Sequence, residues 1–287
     1  GRGVWKEYSE SFKARVRGQR ELANDLAKAI ASDTLNLQFQ PIVDAGSGAV
    51  VGVEALSRWY HPVRGTVAPS EFIPIAEDQG IIISLGDRVM EHAINATLEM
   101  PEDTKVGINV SPLQLHSSRL LSLINRKLEE TNIDPNRIEL EITESVFLSD
   151  NAFILDRLRK LKDLGLRIAM DDFGTGFSSL AYLQRFPFDK LKLDQTFERG
   201  IDTSDQSRAF ARATISMAHA LNLTVTAEGV ESDVQAQFLR DHGCDELQGY
   251  LFSRPQDQSA LIPYLRSMQL VQETKAEPAA NVVKMTR

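Results

Sequence analysis

Seven side chains able to bind cations or move protons recur at comparable points of the chain: Glu54, Asn109, Glu141, Asp171, Asp172, Lys192 and Glu228. Each lies near the C-terminal end of a short β-rich run. Residues alternate sides along a strand, and in these runs one side is apolar. Val51 and Val53 oppose Gly52 and Glu54; Val106, Ile108 and Val110 oppose Gly107 and Asn109; Ile138, Leu140 and Ile142 oppose Glu139 and Glu141. Ile168 and Met170 oppose Ala169 and Asp171, Leu191 and Leu193 oppose Lys190, Lys192 and Asp194, and Val225 and Ala227 oppose Thr226 and Glu228. If the runs close into a barrel, the polar sides face inward and the strand ends meet at one mouth. Carboxylates gathered there repel one another by roughly 4 kcal/mol per pair at about 4 Å and an effective dielectric near 20. Protons or cations must neutralise them. Oxygen donors from Asp, Glu and Asn select hard divalent ions such as Mg2+ or Mn2+. Two ions about 3.5–4 Å apart, with the adjacent Asp171 and Asp172 as a bridge, would clamp a phosphodiester and activate water. A protonated Lys192 cannot ligate a metal, but it can hold water or offset phosphoryl charge.

The elements that must position these groups follow from periodicity. Strand candidates lie at 36–43, 49–56, 105–110, 137–143, 167–172, 188–194, 223–228 and 244–249. Amphipathic helices fit between most of them, at 70–78 with 81–99, 117–131, 150–164, 178–184, 205–221 and 232–241, and another follows at 257–267. This alternation predicts an α/β fold, a TIM-like (β/α)8 barrel. The first connection breaks the rule. Only the turn-rich stretch Asp44 to Gly48 separates the first two strands. A parallel crossover needs a dozen or more residues and a hairpin does not, so the first strand is expected antiparallel. Before the barrel, apolar residues at helical spacing predict a connecting helix over 6–31. The expected division is a junction region over 1–33, the barrel over 34–268 and a disordered tail over 269–287.

Composition narrows the class. The 287 residues are 42% hydrophobic and 25% charged, as in ordinary globular proteins, with a net charge of −8. An acidic chain is a poor binder of nucleic acid polymers. No apolar run approaches a membrane span, and a single cysteine, Cys244, excludes an internal disulfide and suits a cytoplasmic setting. The five histidines show no metal-ligand spacing, and Gly174 and Gly176 lack the sequence of a phosphate-cradling P-loop.

Eight motifs, in order, resemble the EAL domain family. They are Phe39-Gln40-Pro41-Ile42-Val43, Glu54-Ala55-Leu56 with Arg58-Trp59, and Phe72-Ile73-Pro74 with Ala76-Glu77. Asn109-Val110-Ser111, Glu139-Leu140-Glu141-Ile142-Thr143-Glu144 and Asp171-Asp172-Phe173-Gly174-Thr175-Gly176 follow. Lys190-Leu191-Lys192-Leu193-Asp194, then Ala227-Glu228-Gly229-Val230-Glu231 with Gln248-Gly249-Tyr250, complete the series. Phe39 and Phe177 stand where tyrosine is common in the family.

The resemblance implies a metal-dependent phosphodiesterase that converts cyclic di-GMP to linear pGpG in bacterial signalling; the alternative it leaves is a non-catalytic cyclic di-GMP receptor. It implies two Mg2+ or Mn2+ ions, with Ca2+ inhibitory. One ion would be held by Glu54, Asn109, Glu141 and Asp171, the other by Asp171, Asp172 and Glu228. Lys192, Glu54 and Glu231 match catalytic positions, and Gln40, Leu56, Arg58, Asp194 and Gln248 match positions that contact or flank the ligand. Glu144 matches a residue that steadies the loop after the strand at 167–172. A homodimer is expected. Residues 1–21 resemble the end of a GGDEF domain, which implies a fragment of a longer protein, tethered to a membrane or free, with a sensor or cyclase-like part upstream.

Overall fold

A computed structural model describes residues 10–144, 146, 151–174, 180–198 and 200–276. Strand β1 (Asn36–Asp44) turns directly into β2 (Val50–His61). The turn is locally determined. Asp44 Oδ1 accepts from the Ser47 amide at 2.7 Å and the Ser47 hydroxyl at 2.6 Å, and Gly48 takes the left-handed conformation (φ 73°). Such a short loop permits only an antiparallel return. The register runs from Asn36 opposite Arg58 to Val43 opposite Val50.

From there strand–helix alternation dominates. The strands β4 (Lys105–Asn109), β5 (Ile138–Thr143), β6 (Arg167–Phe173), β7 (Lys190–Leu193), β8 (Thr224–Ala227) and β9 (Glu246–Gln248) add in parallel to β2, each beside the last. β9 then pairs antiparallel with β1 and closes the ring. The result is a closed mixed barrel of eight strands with the first strand reversed, as the hairpin spacing predicts. Two short strands extend the mouth: β3 (Gly65–Val67) on β2 and β10 (Gln256–Asp257) on β1.

The apolar strand faces pack outward against the helices. Val53, Val106, Ile108, Leu140, Ile168, Leu191 and Val225 are all buried in one cluster. With them are Met90 and Ile94 of a helix over Ile82–Thr97, Ile124 of one over Arg119–Thr131, Leu158 of one over Asn151–Asp163 and Ile215 of one over Asp205–Ala220. Each fully buried side chain of this kind contributes about 1.5–3 kcal/mol relative to exposure. A second cluster joins α1 (Glu10–Ala31) to the barrel rim: Leu22, Leu26 and Ile30 pack with Trp59, Phe72 and Ile82. Among the described residues no helix is long and apolar enough to cross a membrane.

Two expectations need correction. β2 runs to His61, five residues past its expected end, because Trp59 to His61 pair with β3. The last helix spans Gln258–Ala276, nine residues past its expected end at 267. The helix formers of 267–276 carry the turn pattern forward, and the next breaker, Pro278, lies outside the described residues.

Candidate active site

Lys192, on β7, is 1% exposed and stands inside the barrel among four carboxylates. Its Nζ lies 2.6 Å from Glu228 Oε1, 2.7 Å from Glu141 Oε2, 3.4 Å from Asp171 Oδ1 and 3.7 Å from Glu54 Oε2. These acids come from β2, β5, β6 and the end of β8. Strand parity therefore brings together residues that are up to 174 positions apart in sequence. The Glu228 contact is an ion pair by distance without hydrogen-bond geometry. Glu54 is held chiefly by amides: Asn109 Nδ2 donates to Oε1 at 2.7 Å and Gln248 Nε2 to Oε2 at 2.7 Å. Glu141 Oε1 is buried with no hydrogen-bond partner among the described residues. Gly107 explains how that oxygen fits, since a Cβ there would lie 2.2 Å from it.

One ammonium does not balance these acids. Burial pushes Glu141 well above the usual carboxylate range, and Glu54 and Asp171 push it the same way against the pull of Lys192. Burial, assisted by Asp171 and Glu54, raises Glu228 to about 8. Burial and Asp171 raise Asp172 to about 6. Glu54 differs: burial raises it, but Lys192 and the hydrogen bonds from Gln248 and Asn109 outweigh that and hold it low. Burial opposes the charge on Lys192, yet the surrounding acids raise its pKa well above that of a free lysine. Among the described residues no three acidic, histidine or cysteine side chains are spaced as a ready coordination sphere; the acids are drawn onto the ammonium instead.

Asp172 reaches the site by a device that alternation does not contain. The β6–β7 register shifts between Met170 and Phe173, and Asp172 has φ 56°. Aspartate tolerates this left-handed conformation better than most residues. The Asp172 amide donates to Asp171 Oδ1 at 3.0 Å. Simple alternation would send adjacent residues to opposite faces, whereas the bulge leaves both acids near the mouth.

The remaining expected site residues divide. Gln40 and Gln248 lie in the cluster, linked at 3.2 Å. Leu56 and Arg58 continue the inward face of β2 above it, half-buried. Arg58 Nε donates to Gln38 Oε1 at 2.9 Å, and Gln38 Nε2 to Asp257 Oδ1 at 3.1 Å. Gln38 escaped the sequence reading, although it shares the parity of Gln40. Asp194 is buried at the end of β7, where its Oδ1 accepts from the Thr196 amide at 2.9 Å. Glu144 is half-buried just past β5, and residues 175–179, in the loop it was expected to steady, lie outside the described residues. Glu231 is exposed, and no described hydrogen bond or ion pair ties its carboxylate to the cluster; its main-chain N–H donates to Gln235. It lies past the end of β8, where strand parity no longer aims a side chain inward.

A second ring was also missed, because inward polar residues were assigned to the mouth alone. One layer deeper, Lys190 Nζ lies 2.6 Å from Glu139 and 2.8 Å from Glu246. Arg167 adds a contact to Glu139 at 3.2 Å, and the Thr226 hydroxyl donates to Glu246 at 2.7 Å.

The family model for the EAL domain matches residues 23–255. An "Uncharacterized signaling protein" of Caulobacter vibrioides is 46% identical over 91% of this chain and 32% of its own length. Cyclic di-GMP phosphodiesterase NbdA of Pseudomonas aeruginosa is 37% identical over 93% of this chain and 35% of its own length. The chain thus spans about a third of the length of these relatives. The solved structure of PaMucR phosphodiesterase in complex with c-di-GMP superposes with a TM-score of 0.80 at 36% identity, covering 84% of this chain and 99% of that one. By family model, sequence identity and superposition together, this chain belongs to the EAL domain family.

Proposed function

We propose that this chain is a divalent-cation-dependent phosphodiesterase that hydrolyses one phosphodiester bond of cyclic di-GMP to linear pGpG. The observation that carries this reading is the excess of buried acids over cations at the barrel mouth, with Lys192 as their one close cation among the described contacts. A relative named as a cyclic di-GMP phosphodiesterase supports the substrate.

The donor set fits hard cations. It consists of carboxylate and amide oxygens, which suit Mg2+ or Mn2+, and it includes a buried carboxylate oxygen with no hydrogen bond among the described residues. Glu54, Asn109, Glu141 and Asp171 would hold one ion and Asp171, Asp172 and Glu228 a second; when bound, the pair supplies charge neutralisation and a more acidic water. Lys192 stays protonated at neutral pH, so it acts as a donor that orients the attacking water and not as a base. Hydrolysis adds the water oxygen to phosphorus, breaks the bond to the ribose 3′-oxygen and leaves a proton on that oxygen. Arg58 stands above the ring with a fork suited to phosphate. Leu56 lines the same face, and Asp194 shapes the rim from the end of β7.

Four further readings belong to the proposal: Ca2+ binds but turns over poorly, Glu144 steadies the segment after β6, the protein acts in the cytoplasm as a homodimer, and a sensor or cyclase-like region precedes it in its parent. The test is incubation of the purified protein with cyclic di-GMP and Mg2+ or Mn2+, with the product identified by chromatography. Cation-dependent release of pGpG is expected. Tight binding without pGpG would replace the enzyme by a receptor, and neither binding nor turnover would end both readings.

A further inference from the structure

The amides around Glu54 form a chain whose polarity is set from one end. The Ser253 carbonyl can only accept, and Gln40 Nε2 donates to it at 3.1 Å. Gln40 must then turn its own carbonyl away, and Gln40 Oε1 accepts from Gln248 Nε2 at 3.2 Å. The same Gln248 amide donates to Glu54 Oε2 at 2.7 Å. Amide orientations are ordinarily ambiguous, but here a main-chain oxygen leaves one arrangement. Gln248 Oε1 is consequently left buried in the site with no hydrogen-bond partner among the described residues. Gln40 and Gln248 are themselves 8% and 3% exposed.

The reversed strand makes this chain possible. β1 lies between β2 and β9, which places Gln40 directly opposite Glu54. The segment it anchors to is held by main-chain hydrogen bonds: the Ser253 amide donates to Gly249 O at 3.1 Å and the Leu251 amide to Val230 O at 3.0 Å. The outcome is visible in the ring. Glu54, held by amides, stands 3.7 Å from Lys192, whereas Glu141 and Glu228, which lack such holders among the described contacts, approach to 2.7 and 2.6 Å.

We infer that Gln40 and Gln248 are positioning residues for Glu54: a relay anchored on the Ser253 carbonyl holds this carboxylate off Lys192 and in place for a divalent cation. This rests on the reading of Glu54 as a cation ligand, and it gives the two glutamines a task other than contact with substrate. Groups that orient a metal ligand typically change metal affinity about 10–100-fold when removed.

Mn2+ titration of the substrate-free protein by electron paramagnetic resonance or calorimetry tests it, with Gln40→Met, Gln248→Met and the double variant. Thermal melting in chelator reports folding, and Gln40→Asn, which keeps an amide too short to span the gap, replaces the methionine variant if that does not fold. The expected result is a roughly tenfold or greater loss of Mn2+ affinity for Gln40→Met, although Gln40 touches no cation. The double variant should lose no more than Gln248→Met alone, since one relay is broken once. Unchanged Mn2+ affinity in the Gln40 variant, with weakened cyclic di-GMP binding, would overturn the relay and restore a substrate contact. Additive losses in the double variant would also overturn it. Wild-type protein that bound no Mn2+ would refute the cation reading itself, a different and separately visible failure.

Discussion

Lys190 and Lys192 sit two residues apart on β7, point the same way and are both almost wholly buried, yet their rings differ in charge balance. Lys190 faces Glu139 and Glu246, and Arg167 reinforces Glu139. Two acids meet two bases. Burial raises Glu139, but Lys190 and Arg167 more than reverse this and leave it low. Lys192 faces four acids, and Glu141 and Glu228 are forced upward. The deeper ring closes the barrel and satisfies itself. The mouth ring gathers four acids around one ammonium, an excess that protons take up when no cation is bound. A buried pair whose charges cancel reads as architecture, and a buried excess reads as a binding site.

The largest expected effect separates the rings by stability. Lys190→Met leaves Glu246 without an ammonium and should cost about 3–5 kcal/mol in denaturant unfolding. Mn2+ should recover none of that loss, while it should recover part of the loss in Lys192→Met. Equal recovery in both would erase the distinction. Next comes Gly107→Ala, whose new methyl displaces the Glu141 carboxylate. A roughly 10–100-fold loss in Mn2+ affinity or turnover is expected, and wild-type affinity would show that this oxygen does not serve the cation. Glu54→Ala should lose most activity by the same assay.

The rings also differ in pH dependence. Glu228 is raised from 4.5 to about 8 and Asp172 from 3.8 to about 6. The folded state then binds more protons than the unfolded state, so metal-free stability falls as pH rises through this window. Glu139 is lowered, so its contribution is present above pH 4.5 and is lost only as pH falls below that. Lys190 is raised, so its contribution is lost only above pH 10.5. Between pH 5 and 8 the two rings therefore behave differently. Melting temperature in chelator should fall across that range, and Mn2+ should flatten or reverse the slope. A flat chelator profile would count against the charge excess. The smallest effect is expected for Glu231→Ala, which should change kcat/KM less than about twofold because its carboxylate is exposed and no described contact ties it to the ring. A large loss would bring Glu231 back among the catalytic groups.

Much of this was legible in one dimension. Alternation along each strand placed Glu54, Asn109, Glu141, Asp171, Lys192 and Glu228 on inward faces, and the short turn after Asp44 required the first strand to reverse. Both are local rules of backbone geometry, and they hold whatever the strand packs against. Three features were not legible. The bulge that turns Asp172 to the site appears only when β6 is paired with β7. The split of inward residues into two layers depends on how far along its strand each one sits relative to seven neighbours. The amide relay joins Gln40, Gln248 and Ser253, up to 213 residues apart, and it exists only once β1 is inserted between β2 and β9.

The residue types and their period determined which groups would face inward and that protons or cations had to neutralise them. Tertiary structure decided which acids share one lysine, which are already satisfied and which way each amide points. The reason is that charge balance and hydrogen-bond polarity belong to neighbourhoods of a few ångströms, and closing the barrel sets those neighbourhoods.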